Sequence, residues 1–242
     1  MKALIESVKS LSLTANKATC KRSFLNSTMI DPACQNMVAK MNAVQLEDLG
    51  CIDGQKCDYH WKNNLNRITI DESDDNDYRL VLFFIKKGTV MPLHDHPNMS
   101  VFFRLVTGNL QYRAYDKVDD KYKYNEFASA EYEELLMDKS KIQAKKSKPM
   151  NIKEGDLLYV RPSTNNMHQF VAKENSCFFD ICLPNYSVDS HTRKVTYYRE
   201  TGETQQNLLR GGLTELEYHT TPELGMPKGF SINEIDYRGS MM

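Results

Sequence analysis

At Arg67 the hydrophobic pattern of this chain changes period, and that change restricts the fold more than any other feature. Before it, apolar residues recur at helical spacing: Leu4, Ile5, Val8 and Leu11 within 3–13, then Met37, Val38, Met41 and Val44 within 32–49, with Gly50 as a stop signal. After it, short period-two segments follow one another at 67–70, 78–85, 101–106, 109–116, 157–161, 168–172 and 177–182. Turn signals separate them, and most of the intervals are too short for a helix. Such a run reads as antiparallel β-structure closed into a barrel or sandwich.

The remaining segments are less patterned. The acidic run 71–77 reads as a solvated hairpin loop. Residues 126–150 interrupt the strands with a short helical stretch around Tyr132, Leu135 and Leu136, followed by a Lys-rich run at 139–148. No aromatic residues interleave with those lysines, so a solvated loop is expected there rather than a nucleic-acid patch. Residues 213–242 are mixed in character and are expected to pack on the barrel as irregular structure.

A chain of 242 residues with no repeat and no composition break is expected to form one domain. Its 31 basic and 32 acidic side chains nearly cancel, so no global field draws it to nucleic acid or membrane. Neither is expected as a partner; a small molecule or protein is. The opening residues 1–6 read as amphipathic rather than as a signal peptide, and no apolar run approaches the roughly 20 residues that span a bilayer. A soluble cytoplasmic protein is expected, with the nucleus also open to it. The six cysteines form no Cys-x-x-Cys pair and no dense framework, which suits reduced thiols.

His94-Asp95-His96-Pro97 lies between Gly88 and Gly108, at a strand edge or a tight turn. Residues two apart in extended chain point to one face, so His94 and His96 converge while Asp95 points away. Two imidazoles on one face beside glycine turns point to a metal ion. His60, His191 and His219 sit in no motif and read as ordinary surface or core residues.

The spacing Gly88-x5-His94-x-His96-x4-Val101-x6-Gly108 resembles the first motif of the cupin superfamily, with Val101 where that motif has glutamate. Gly155, Pro162 and His168 fill the roles of the second motif, with a wider gap from proline to histidine. The resemblance implies a mainly β fold, the cupin double-stranded β-helix or jelly-roll barrel with an N-terminal helical segment, and makes His168 the third ligand. No cysteine is spaced to close a four-ligand zinc site, so an open site is expected. The common iron triad of two histidines and a carboxylate often takes the form His-x-Asp, but its third position here is His96, which argues against a 2-oxoglutarate oxygenase. Three neutral imidazoles would leave an iron(II) ion its full charge and up to three open positions, which suits an anionic thiolate. Transfer of both atoms of dioxygen to sulfur then needs no external reductant.

Residues 91–99, Met-Pro-Leu-His-Asp-His-Pro-Asn-Met, closely resemble the signature of the thiol dioxygenases that include cysteamine (2-aminoethanethiol) dioxygenase and the plant cysteine oxidases. Two further blocks agree: Asn166-Met167-His168-Gln169-Phe170 and Phe179-Asp180-Ile181-Cys182-Leu183-Pro184-Asn185-Tyr186. The similarity extends over 69–198, with an echo at Tyr237-Arg238-Gly239, and this family also lacks the cupin glutamate. It implies an acid at Asp180 that orients a ligand histidine or the substrate amine, and a phenol at Tyr186 that hydrogen-bonds dioxygen. Arg104 stands where the family tends to carry lysine; a role at the site and an outward-facing solvated role are equally open to it, and it is left out of the site. Asn98 and Asn185 replace a glycine and a proline usual in the family. Val195-Thr196-Tyr197 lacks the cysteine that forms a thioether with tyrosine in the animal enzymes, so no such crosslink is expected.

These readings combine into one expectation. The chain is a single cupin-type domain over 1–242, with a helical segment at 1–50, a barrel core at 67–198 and a C-terminal extension at 199–242. It binds one Fe2+ per chain through His94, His96 and His168, and uses O2 to oxidise the thiol of cysteamine or of an N-terminal cysteine in a protein or peptide to a sulfinic acid. With a protein substrate, the reaction would feed an oxygen-sensing N-degron route. A monomer is the default expectation. The alternatives are a cupin metalloenzyme of another class, either a carbon-substrate dioxygenase or an isomerase, and a non-catalytic metal- or ligand-binding cupin.

Overall fold

The computed structural model describes residues 1–17, 32–44, 48, 62–118, 141–162, 164–186, 193–201, 212–219 and 226–237. Two helices, α1 (Lys2–Lys17) and α2 (Pro32–Ala43), precede the β-structure. The strands are β1 (Leu65–Glu72), β2 (Arg79–Ile85), β3 (Val90–Asp95), β4 (Ser100–Thr107), β5 (Asn109–Lys117), β6 (Ile142–Lys146), β7 (Met150–Lys153), β8 (Leu157–Val160), β9 (Met167–Ala172), β10 (Ser176–Leu183), β11 (Tyr198–Glu200), β12 (Gly212–Tyr218) and β13 (Asn233–Glu234). They form two sheets, one ordered β13-β1-β2-β10-β4-β8 and the other β11-β12-β6-β5-β9-β3, with β7 paired to β5. Every strand pairing is antiparallel except that of β1 with β13. The result is a mainly β, cupin-like barrel with two N-terminal helices.

Why the strands of the first sheet read as continuous apolar runs is now plain. Val81, Phe83, Phe103, Leu105 and Phe178 point into the barrel, where they meet Met91, Leu110, Tyr112, Ile152 and Phe170 of the second sheet. The alternate residues Leu80, Leu82, Phe84, Phe102, Phe179 and Ile181 point outward and are covered by Leu4, Ile5, Val8 and Leu11 of α1 and Met37 and Met41 of α2. Both faces are buried, so polar residues would be costly on either. Each large apolar side chain so buried stabilises the fold by about 1.5–3 kcal/mol relative to exposure. Arg104 faces outward on β4, and it is not simply solvated. Its Nη1 donates to the carbonyls of Met41 and Val44, both at 2.8 Å, where α2 ends; the Met41 carbonyl also accepts from Val44 N–H.

The acidic run does contain the β1–β2 hairpin turn, with Ser73 N–H donating to Tyr78 O and Asp77 N–H to Ser73 Oγ. Two other expectations are corrected. The Lys-rich run is not a solvated loop where it is described: 142–146 is a strand in which Ile142, Ala144 and Lys146 are buried and alternate with exposed Gln143 and Lys145. Lysine at an inward position hid the period of two; Lys146 is tolerated there because its Nζ meets Glu200 at 2.8 Å. The tail is not wholly irregular either. β12 pairs with both β6 and β11, and β13 pairs with β1. Along β12 only Leu216 is fully buried, so apolar alternation is weak there and the sequence carries little strand signal. The expected helical stretch near Tyr132 lies outside the described residues. No helix among the described residues is long and apolar enough to cross a membrane.

Candidate metal centre

His94 sits near the end of β3 and His96 just beyond it, while His168 on β9 is the register partner of His94. β3 was not among the expected strands, because its run Val90-Met91-Pro92-Leu93-His94-Asp95 offers no apolar alternation. Pairing with β9 nevertheless makes it one, and that pairing brings the third histidine to the first two. Ligand atoms of the three all lie within 4.8 Å of one another. Their ring centroids are 4.9 Å apart for His94 and His96, 4.9 Å for His94 and His168, and 4.7 Å for His96 and His168.

The surroundings fix the protonation of these rings. His94 Nδ1 donates to Pro92 O at 2.8 Å, and His96 Nδ1 to Asn166 O at 3.3 Å. Since a carbonyl can only accept, Nδ1 carries the proton in each, and Nε2 is the nitrogen left with a free lone pair. Burial pushes His94 below the ordinary imidazole range, and pushes His96 and His168 well below it, with the neighbouring histidines adding to the effect. Neutral imidazole is the form that binds metal.

His168 makes the strongest case that the cluster holds an ion. It is 1% exposed, and neither of its ring nitrogens has a hydrogen-bond partner. A buried polar group left so costs about 1–3 kcal/mol, and a metal at the shared centre would remove the deficit for one nitrogen. Among the described residues no carboxylate or thiol joins the three imidazoles. Asp95, between two of them, points the other way as expected, but it is not idle. Its buried carboxylate accepts from Thr196 N–H at 2.7 Å and Tyr198 Oη at 2.9 Å, and lies 3.5 Å from Lys117 Nζ. The position of the missing cupin glutamate is filled by Val101, buried with Met99, Val160 and Cys182. These residues describe a three-histidine metal site.

A cleft of about 190 Å³ opens beside the site, lined by His94, His96, Asp180, Tyr186, Arg67 and Arg79 among others. It is smaller than the roughly 300–1,000 Å³ typical of drug-sized ligand sites. Asp180 comes from β10, is 6% exposed, and has no hydrogen-bond partner at Oδ1. Burial pushes its carboxyl up to about 7. Tyr186 places its ring 5.5 Å from that of His96 and donates its hydroxyl proton to Asp95 O at 2.6 Å. Burial raises that phenol well above its ordinary range, so it stays protonated.

The five residues expected at the site are thus gathered around one cleft and its metal cluster. His219 is elsewhere, its N–H bonded to Tyr197 O, and His60 and His191 lie outside the described residues. Sequence reasoning missed four contributors. Asn166 brackets His96 with both side chain and backbone, Lys117 and Tyr198 anchor Asp95, and Tyr197 forms a β-bridge to His94. Only Asn166 stood within a recognisable motif. Arg67 and Arg79 also reach the cleft, on strand positions that no local pattern marks. Asn98 adopts a left-handed φ of 55°, which explains how it can stand where relatives use glycine.

Comparison with known proteins agrees with this geometry. The chain is 30% identical to plant cysteine oxidase 2 of Arabidopsis thaliana over 121 residues, covering 50% of this chain and 40% of that protein. It is 24% identical over 129 residues to a probable 2-aminoethanethiol dioxygenase of Dictyostelium discoideum, covering 53% of each. It is 28% identical over 130 residues to human 2-aminoethanethiol dioxygenase, covering 50% of this chain and 48% of that one. The chain therefore spans about half the length of the curated relatives it matches. The PCO_ADO family profile matches residues 30–242, from before α2 to the last residue. That match takes in both sheets and all three histidines, and the chain belongs to the PCO_ADO family of thiol dioxygenases in the cupin superfamily.

Proposed function

We propose that this chain is an iron(II)-dependent dioxygenase that converts an aminothiol, R–SH, and O2 into the sulfinic acid R–SO2H. The observation that carries the reading is the all-imidazole donor set beside a small cleft that holds an unpartnered carboxyl. Iron(II), when bound by His94, His96 and His168, supplies Lewis acidity toward the thiol and the means of activating dioxygen.

The protein's own groups do the rest. Asp180 makes no hydrogen bond to a ligand histidine, which favours the substrate amine as its partner. An ammonium placed there would hold the carboxyl ionised and orient the thiol that follows it two carbons on. Tyr186 spends its proton on Asp95 O, between the two histidines of the motif, so it acts as a positioning residue rather than the donor to dioxygen that the family resemblance implies. Val81, Phe83, Met91, Phe230 and Ile232 wall the cleft with apolar surface, which limits water and strengthens each charge interaction inside.

Cysteamine and an N-terminal cysteine both carry the amine this arrangement would read. With a protein substrate in the cytoplasm or nucleus, the sulfinic product would mark cysteine-initiating chains for N-degron turnover in proportion to oxygen. A monomer carrying one iron, built as one domain over 1–242, suffices for this chemistry. The test is oxygen uptake by iron-loaded protein with cysteamine, free cysteine and a peptide beginning with cysteine. Uptake with at least one supports the reading; none with any of them contradicts it.

A further inference from the structure

We propose that Arg67 and Arg79 form an anion subsite in the metal cleft that takes a carboxylate carried by the thiol substrate. This rests on the thiol dioxygenase reading and adds a specificity to it. Arg67 and Arg79 both line the cleft that His94, His96 and Asp180 line. Val81 and Phe83, which follow Arg79 at intervals of two on β2, point into the barrel interior. Val81, Phe83 and Phe178 beside them are apolar, and cations in such surroundings need a partner.

The partners they have are at the rim. Arg67 pairs with Glu234, and Arg79 lies 3.1 Å from Glu72. The arginine side chains are 27% and 20% exposed, whereas those of Glu234 and Glu72 are 53% and 49% exposed. The acids thus stand in solvent, where pairing is weak, and the cations stand inward. Arg79 Nη2 donates to Thr69 Oγ1 at 2.7 Å, but its buried Nε has no hydrogen-bond partner, since Glu72 is out of line for one. Burial and the adjacent Arg67 charge together push Arg79 below the ordinary arginine range, against the opposing pull of Glu72 and Glu234.

A carboxylate fits this deficit. Its planar oxygens match a guanidinium fork, and the cleft has little room for a larger anion. Placement agrees: Arg79 is opposite Cys182 in the β2–β10 register, and Asp180 is its diagonal neighbour on the same face, roughly 7–8 Å away. Asp180 would take the ammonium and the arginines the carboxylate of one zwitterion. The carboxylate has two sources, the α-carboxylate of free cysteine or an acidic side chain just after an N-terminal cysteine.

The test compares iron-loaded wild type, Arg67→Gln and Arg79→Gln on cysteine, cysteamine, and peptide amides beginning Cys-Glu and Cys-Gln. Each variant is expected to lower kcat/KM for the carboxylate-bearing member relative to its pair by about tenfold or more. A fall confined to cysteine over cysteamine assigns the free α-carboxylate, and one confined to Cys-Glu over Cys-Gln assigns the side chain. Both ratios staying within about twofold of wild type, in variants that keep the wild-type unfolding temperature, would overturn the proposal. Where a glutamine variant does not fold, Arg→Lys keeps the charge, loses the fork and is expected to lower the same ratios. Calorimetric titration of the full chain with propionate, metal-free and anaerobically iron-loaded, gives a second readout. Should wild type oxidise none of the four thiols, the dioxygenase reading fails. The titration then decides the subsite alone: propionate binding that both variants lose upholds it, and no binding to wild type removes it.

Discussion

Asn166 and His96 are joined by three hydrogen bonds: His96 N–H to Asn166 Oδ1 at 3.1 Å, Asn166 Nδ2 to His96 O at 2.6 Å, and His96 Nδ1 to Asn166 O at 3.3 Å. The same amide also reaches Arg161 O. A residue two positions before one ligand therefore fixes the backbone and the tautomer of another. Asn166→Ala removes both side-chain bonds to His96 and the one to Arg161, and is expected to weaken iron binding about 10–100-fold. A competitive metal titration measures this, and unchanged affinity would show that β3 alone holds His96.

Asp180 makes stability depend on pH in a stated direction. Burial raises its carboxyl from 3.8 to about 7, so the folded state binds the proton more tightly than the unfolded chain. That contribution is complete below about pH 4 and is lost as pH rises through about 7. Asp180→Asn copies the protonated form. In metal-free protein it should be more stable than wild type at pH 8, by on the order of 2–4 kcal/mol, with the gap closing toward pH 4. Urea denaturation at both pH values checks this, and a gap independent of pH would contradict it.

Asp95 is expected to matter through Lys117. Both side chains are buried, and burial already pulls the Lys117 ammonium down to about 8 against the pull of the carboxylate. Asp95→Asn removes the carboxylate's charge from this buried pair and should destabilise the fold by about 3–5 kcal/mol. Lys117→Met with Asp95→Asn should recover part of the loss. A double-mutant cycle with no coupling would place the energy elsewhere.

How much of this was legible in the sequence follows from what each feature depends on. The histidine motif is local, and its extended spacing foretold convergence. The buried runs at 80–85, 101–106 and 177–182 likewise announced strands. β3, β6 and β12 were hidden, since each owes its pairing to a distant partner rather than to its own alternation. The same holds for Lys117, Tyr198 and the two arginines, which only the strand register delivers to the site. Asp180 and Tyr186 were found through family resemblance, not through any pattern of their own.

Gly108 joins β4 to β5 at a φ of 96°, and a Cβ there would stand 2.4 Å from Ser176 Oγ and 2.5 Å from Asn175 O. Gly108→Ala should cost at least about 2 kcal/mol from strain and overlap together. Gly88 has a similar φ of 83° but nothing within 4 Å of the added carbon, so Gly88→Ala should cost less. Equal losses in thermal unfolding would mean that the close approach to β10 is not what requires the glycine.

The proposal that His94, His96 and His168 would hold iron at a centre where a thiol takes up both atoms of dioxygen is tested most directly with isotopically labelled oxygen. Iron-loaded protein is incubated under 18O2 with cysteamine, cysteine and a peptide beginning with cysteine, and the products are weighed by mass spectrometry. The expected result is a sulfinic acid carrying both labelled atoms, formed by wild type and absent with His168→Ala. A product with one labelled atom or none, or full turnover by the His168→Ala variant, would contradict it.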